Sequence, residues 1–93
     1  MKRTRYDIYA ELLRVISIYG DCPLTRAARS TNMPVDRAKT AIDHLVSRGL
    51  LDEEVDGRHR VYRVSVRGYQ YLELYQRIAA LVGAPITEPT IGM

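Results

Sequence analysis

At Gly49 the hydrophobic period of the chain changes, and this change restricts the fold more than any other feature. Before it, apolar residues recur at helical spacing; after it, "LLDEEVDGRHRVYRVSV" alternates like a half-buried hairpin. Leu51 and Val55 bracket the acidic residues of the first predicted strand. Tyr62, Val64 and Val66 share one face of the second, and Val61, Arg63 and Ser65 share the other. Between the strands, "DGRH" carries the tight-turn signal Asp56-Gly57.

Three helical segments precede this point. In residues 5–19, Ile8, Leu12, Val15 and Tyr19 form one apolar stripe, and Tyr9, Leu13 and Ile16 form a second beside it. Thr4 is placed to cap this helix and Gly20 to end it, with "GDCPL" as a connector. A short helix is expected over 25–31, capped by Thr25, with Ala27 and Ala28 allowing close packing. The third helix starts at Pro34, where a missing N–H costs nothing, and stops at Gly49. Its Ala38, Ala41, Ile42 and Leu45 face inward, and Asp36, Lys39, Thr40, Asp43 and Ser47 face outward.

Ser65 can cap a last helix over 67–82, which again carries two stripes: Tyr71, Leu74, Ile78, Leu81 and Leu72, Tyr75, Ala79, Val82. The tail 83–93 holds two prolines and is expected to be loose. Helix, helix, helix, hairpin, helix describes a mostly helical α+β fold, a winged helix-turn-helix. One domain is expected over 1–82, with a recognition helix at 34–48 and a wing at 52–64. Ninety-three residues suffice for one domain near the lower end of what folds unaided.

Composition narrows the function. The net charge is +3, and 12 of the 14 basic residues are arginine, which grips phosphate bidentately; arginine richness also follows lineage or growth temperature. Cys22 is alone, which excludes an intramolecular disulfide or a cysteine-cluster metal site, fits a reducing cytosol and leaves only a bridge between chains. No apolar run has the length of a membrane span, and the basic start "MKRTRYD" does not lead into a signal-type apolar stretch. His44 and His59 lie on separate elements, and no Gly-rich phosphate loop, zinc-ligand spacing or paired-carboxylate motif is present. No enzyme activity, cofactor or metal is therefore expected.

The segments "RYDIYAELLRV", "TRAARSTNMPVDRAKTAIDHLVSRGLL" and "YRVSVRGYQYLELYQRI" resemble the archaeal winged helix-turn-helix family of small regulators and chromatin-associated proteins. The likeness lies in "NM" before helix three, in "L-x-x-x-G-L-L" after it, and in Tyr62, Val64, Ser65 and Gly68 where the family shows "Y-x-L-T-x-x-G". It spans residues 4–82 and rests on packing and capping patterns. The resemblance implies that helix three enters the DNA major groove and that the last helix pairs with its twin. That helix is short here, which limits any coiled-coil seam to about two heptads, a departure from the longest members.

Candidate contacts follow from exposed chemistry. On the recognition helix, Arg37 and Lys39 can reach phosphate or guanine, Val35 and Thr40 offer methyls to thymine, and His44 lies further along. Asp36 and Asp43 oppose phosphate; Asp36 also suits a helix start. Arg26 and Arg29 on helix two, and a basic arm of Lys2, Arg3 and Arg5, add backbone candidates. At the wing tip, Arg58, His59 and Arg60 cluster, although charges on a hairpin also discourage edge pairing. The second apolar stripes leave a surplus expected to be exposed, formed by Tyr9, Leu13, Tyr71, Leu74, Tyr75, Ile78 and Leu81. Such a surplus suits a two-fold dimer.

The reading is a homodimeric regulator of transcription that binds double-stranded DNA, cytoplasmic and nucleoid-associated. An architectural chromatin protein with little sequence preference, or a protein-interaction module, are its alternatives.

Overall fold

The structure is a computed structural model, and it describes residues 3–83. Seven elements follow in order: α1 Arg5–Tyr19, β1 Cys22–Pro23, α2 Leu24–Ser30, α3 Val35–Ser47, β2 Leu51–Asp56, β3 His59–Val64 and α4 Val66–Leu81. The strands form one antiparallel sheet in the order β1-β3-β2. The expected winged helix-turn-helix is thus the observed architecture, with one addition. The connector "GDCPL" contains a strand, because Cys22 pairs with Tyr62 and Pro23 with Val61. Two residues show no alternation, so sequence periodicity carries no trace of it.

Local chemistry sets the helix ends. Thr4 and Asp7 form a capping box: the Asp7 amide donates to Thr4 Oγ1 at 3.1 Å, and the Thr4 amide donates to Asp7 Oδ2 at 2.8 Å. Both helices of the helix-turn-helix end alike. After α3, Leu50 N–H donates to the Leu45 carbonyl and Gly49 N–H to that of Val46, around Gly49 at φ 77°. After α2, Met33 N–H donates to Ala28 and Asn32 N–H to Arg29, with Asn32 in the left-handed position at φ 58°. The "NM" pair is therefore a helix terminator in which asparagine takes glycine's place. Thr31, almost fully buried beside it, donates its hydroxyl to the Ala27 carbonyl at 2.8 Å.

Several expected caps and faces change. Thr25 does not cap α2: it lies inside the helix, and the cap is Pro23, which makes no side-chain bond. Pro34 is the N-cap of α3 rather than its first residue. Val66 does not extend the strand; it opens α4 and is 77% exposed, because Ser65 ends β3 and caps the helix by accepting from Gly68 N–H at 3.1 Å. The hairpin loop is Gly57-Arg58, one residue later than the Asp56-Gly57 signal, since Asp56 still pairs with His59.

Leu12, Leu13 and Ile16 of α1 meet Ile42 and Leu45 of α3, Leu51, Tyr62 and Val64 of the sheet, and Cys22 and Ala27 in a single core. Cys22 is fully buried and its Sγ–H points to the Pro23 carbonyl, so a bridge between chains through it has no support in this fold. Tyr19, expected in the core stripe of α1, is instead 45% exposed.

The start of α4 is pressed onto this core. A Cβ at Gly68 would lie 2.3 Å from the Leu50 carbonyl oxygen and 2.7 Å from Val64 Cγ1, so only glycine fits. Gly68 is the one buried residue of α4. Its later turns run along α1, where the Tyr71 hydroxyl donates to the Tyr6 carbonyl at 2.7 Å and the Tyr75 hydroxyl to the Asp7 carboxylate. Residues 84–93, with nearly all of the tail expected to be loose, and Lys2 of the basic arm lie outside the described residues.

Candidate nucleic-acid interface

The outward face of α3 is built by its amphipathic pattern. With Ala38, Ile42 and Leu45 fully buried, Val35, Asp36, Arg37, Lys39, Thr40, Asp43 and His44 are left exposed. Asp36 sits in the first turn, where its Oδ1 accepts from the Arg37 amide at 3.0 Å, so its carboxylate serves the start of the helix. Thr40 donates its hydroxyl to the Asp36 carbonyl at 3.1 Å, which leaves a methyl and an acceptor. Lys39 is engaged as well: its Nζ lies 2.9 and 3.1 Å from the two oxygens of Asp43, one turn on. That hydrogen bond is the main reason its pKa is raised. Among the described residues, Arg37 has no ion-pair partner.

The wing has two faces of different character, as strand alternation requires. On one, Glu53 stands opposite Tyr62 and Val55 opposite Arg60. Tyr62 is buried, and Arg60 Nε reaches diagonally to Glu53 Oε2 at 3.0 Å. On the other, Arg63 bridges Asp21, with Nε at 2.8 Å, and Glu54 at 3.4 Å, tying the α1–β1 loop to the wing. Arg63 is a structural strap. At the tip, Arg58 and His59 are exposed, and Arg58 has no ion-pair partner among the described residues. The tip is therefore less basic than "RHR" suggests, because Arg60 already carries an acid.

Tyr62 marks where the wing meets α3. Burial raises the pKa of its hydroxyl, Glu53 and Asp43 add to the rise, and Lys39 and Arg60 oppose it. Tyr62 thus senses charges of both α3 and the wing, and it shares the core with Ile42 and Leu45 of α3. Glu53 and Tyr62 are absent from the sequence-based site, because only strand register sets Glu53 opposite Tyr62 and only packing brings α3 beside them.

On α2, the Arg26 guanidinium lies 4.9 Å from the centre of the Tyr19 ring, a cation–π contact. The Tyr19 hydroxyl is held below its usual pKa first by a hydrogen bond with Ser30 and then by Arg26. Arg29 is exposed in the last turn of α2. These residues lie on the helix preceding the α2–α3 turn.

The expected dimer residues separate into two groups. Leu74, Ile78 and Leu81 are 58%, 62% and 85% exposed on one stripe of α4. Leu13, by contrast, is fully buried within the protomer, so it is not available to a partner. Tyr9 is half-buried and stacks on His44 of α3, with ring centroids 5.4 Å apart. Tyr71 and Tyr75 are half-buried as well, stacked on each other and bonded to α1. Most of both α1 stripes packs inward because α2, α3, α4 and β3 all meet that helix, whereas α4 lies chiefly against α1 and β3.

A helix-turn-helix followed by a projecting hairpin, whose sheet is completed by a short strand before α2, defines a winged helix of the transcription-regulator type. Residues 2–82 match the winged helix-turn-helix family model, and the chain belongs to that family. The DNA-binding protein Sso10a-2 from Sulfolobus solfataricus has a similar structure, with a TM-score of 0.77 at 18% identity, over 87% of this chain and 83% of that one. A probable transcriptional regulator from Pseudomonas aeruginosa aligns with a TM-score of 0.70 at 28% identity, over 83% of this chain and 59% of that one. A MarR family transcriptional regulator from Silicibacter pomeroyi gives 0.70 at 25%, over 88% and 58%. The chain thus spans under two thirds of those two regulators. Its likeness extends to bacterial regulators as well as to a Sulfolobus protein, so it does not single out an archaeal group. Among curated proteins no match was found. No helix of the described residues is long and apolar enough to cross a membrane.

Proposed function

We propose that the protein is a regulator of transcription that binds double-stranded DNA as a homodimer, in the cytoplasm and on the nucleoid. The observation that carries this reading is the pairing of an exposed recognition helix with an exposed wing tip, each holding an arginine, Arg37 and Arg58, with no acid of its own among the described residues. Arg37 with Val35 and Thr40 faces the major groove, with Asp36 setting the helix start and Lys39 joining once it leaves Asp43. Arg58 and His59, with Arg60 behind them, meet flanking phosphate, and Arg26 and Arg29 meet backbone on the other side. The domain runs over 1–82, and the stripe Leu74, Ile78 and Leu81 packs against a second copy, with Tyr71 and Tyr75 at its edge.

A second reading has its own support. Lys39 is tied to Asp43 and the Thr40 hydroxyl to the Asp36 carbonyl, which leaves few groups to read bases. An architectural protein that binds duplex with little sequence preference fits that economy. Competition between random and selected duplex separates the two readings. A chain that binds neither at low salt, or that stays monomeric at all concentrations, contradicts the proposal.

A further inference from the structure

Two cations of the interface are held by acids within the same interface. Lys39 is paired with Asp43 on α3, and Arg60 with Glu53 across the wing, at 2.9 and 3.0 Å. They come from elements that pack together: α3 lies against β2, and Tyr62, opposite Glu53 in the wing, shares the core with Ile42 and Leu45 of α3. Arg63, on the opposite face of the wing, is bound to Asp21 and Glu54 and takes no part. A helix surface needs no i,i+4 partner for Lys39, nor a hairpin a diagonal one for Arg60; exposed pairs of this kind add little stability. Their consequence lies instead in what the cations meet. A cation bound to a carboxylate must exchange that partner for phosphate, and the released carboxylate then lies close to the backbone.

We propose that Asp43 and Glu53 are specificity-determining residues that withhold Lys39 and Arg60 from phosphate, so that random duplex is bound weakly. This inference rests on the proposed DNA-binding reading. Uniform backbone attraction is the term common to all sequences, and discrimination improves when that term is reduced by placed repulsion. Only a duplex seated deeply enough to break both pairs recovers the two cations. Arg37 and Arg58 supply the initial contact and the two pairs act as the filter.

The test uses the full chain, random duplex DNA and a salt series, with the variants Asp43→Asn, Glu53→Gln and Lys39→Ala. Each released base adds about one phosphate contact, so each acid variant loses about 3.5-fold more affinity than the wild type between about 50 and 200 mM salt. Both also bind random duplex more tightly at low salt. The Lys39→Ala background separates withholding from simple repulsion: there, Asp43→Asn is expected to change the slope no further. If the acid variants bind random duplex as the wild type does, or more weakly, the inference is overturned. A full slope change from Asp43→Asn in the Lys39→Ala chain overturns it as well. Wild-type protein that binds no duplex at all counts against the DNA-binding reading instead, which keeps the two failures apart.

Discussion

Arg67 Nε donates to the carbonyl oxygen of Arg48 at 3.1 Å, so the first turn of α4 caps the end of the recognition helix directly. Ser65 adds two bonds to the same exit: its hydroxyl donates to the Gly49 carbonyl at 2.6 Å and its amide to that of Leu50 at 3.2 Å. The helix proposed for dimerisation and the helix proposed for DNA contact are thus in direct contact, although the whole hairpin separates them in the chain. Ser65→Ala removes both the N-cap of α4 and a partner for the Gly49 carbonyl, with an expected cost of about 1 kcal/mol. Urea unfolding measures it, and an unchanged midpoint would show that this junction is not a source of stability.

Gly68→Ala is expected to cost more. The new methyl would meet backbone and Val64 at distances that atoms do not adopt, so α4 must shift away from Leu50. Overpacking of this kind costs about 1–3 kcal/mol. Thermal unfolding of the variant checks it, and wild-type stability would mean that α4 sits further from the core.

The proposed dimer stripe and the core residue beside it respond differently. Leu74→Glu and Ile78→Glu alter exposed positions and are expected to leave the protomer folded while shifting the molar mass toward that of one chain. Leu13→Ala empties part of the core and is expected to cost about 2–5 kcal/mol. Light scattering and circular dichroism together separate the cases. Unchanged mass in both glutamate variants would contradict dimerisation through this stripe.

The α1–α4 contact is sensitive to pH at both ends. Burial works to raise the Asp7 carboxyl, and hydrogen bonds from Tyr75 and Thr4 together outweigh it, holding the pKa below its ordinary 3.8. A lowered folded value means stability present above 3.8 and lost as pH falls through the folded pKa. Burial, and then the bond to Asp7, push the Tyr75 hydroxyl up to about 12, so its share is present below 10.0 and lost as pH rises toward 12. Unfolding measured in acid is expected to show a flatter loss for Asp7→Asn than for the wild type; equal slopes would count against the contact.

The sequence made the helices, their spacing and the hairpin legible, because each rests on periodicity or on a local terminator. Thr4, Gly49 and, as the cap of α4, Ser65 act within one turn of themselves, and these roles follow from residue type. What could not be read depended on partners distant in the chain. Leu13 and Leu74 occupy similar stripes, yet one is buried and the other exposed, because α1 lies among α2, α3, α4 and β3 while α4 is left largely on one side. Arg60 and Arg58 look alike in "RHR", but only strand register shows that Glu53 reaches Arg60. The two-residue strand at Cys22 has no pattern of its own and exists only through pairing with Tyr62.

The central claim is that α3 and the wing tip together form the surface that meets DNA. It is tested most directly by the salt dependence of duplex affinity in the wild type and in the double variant Arg37→Ala with Arg58→Ala. The expected result is steep, linear log–log weakening in the wild type and a slope shallower by about 1 in the variant, because the phosphate contact of Arg58 is gone, with a further loss of affinity from Arg37 in the groove. Identical slopes, or a flat response in the wild type, would contradict it.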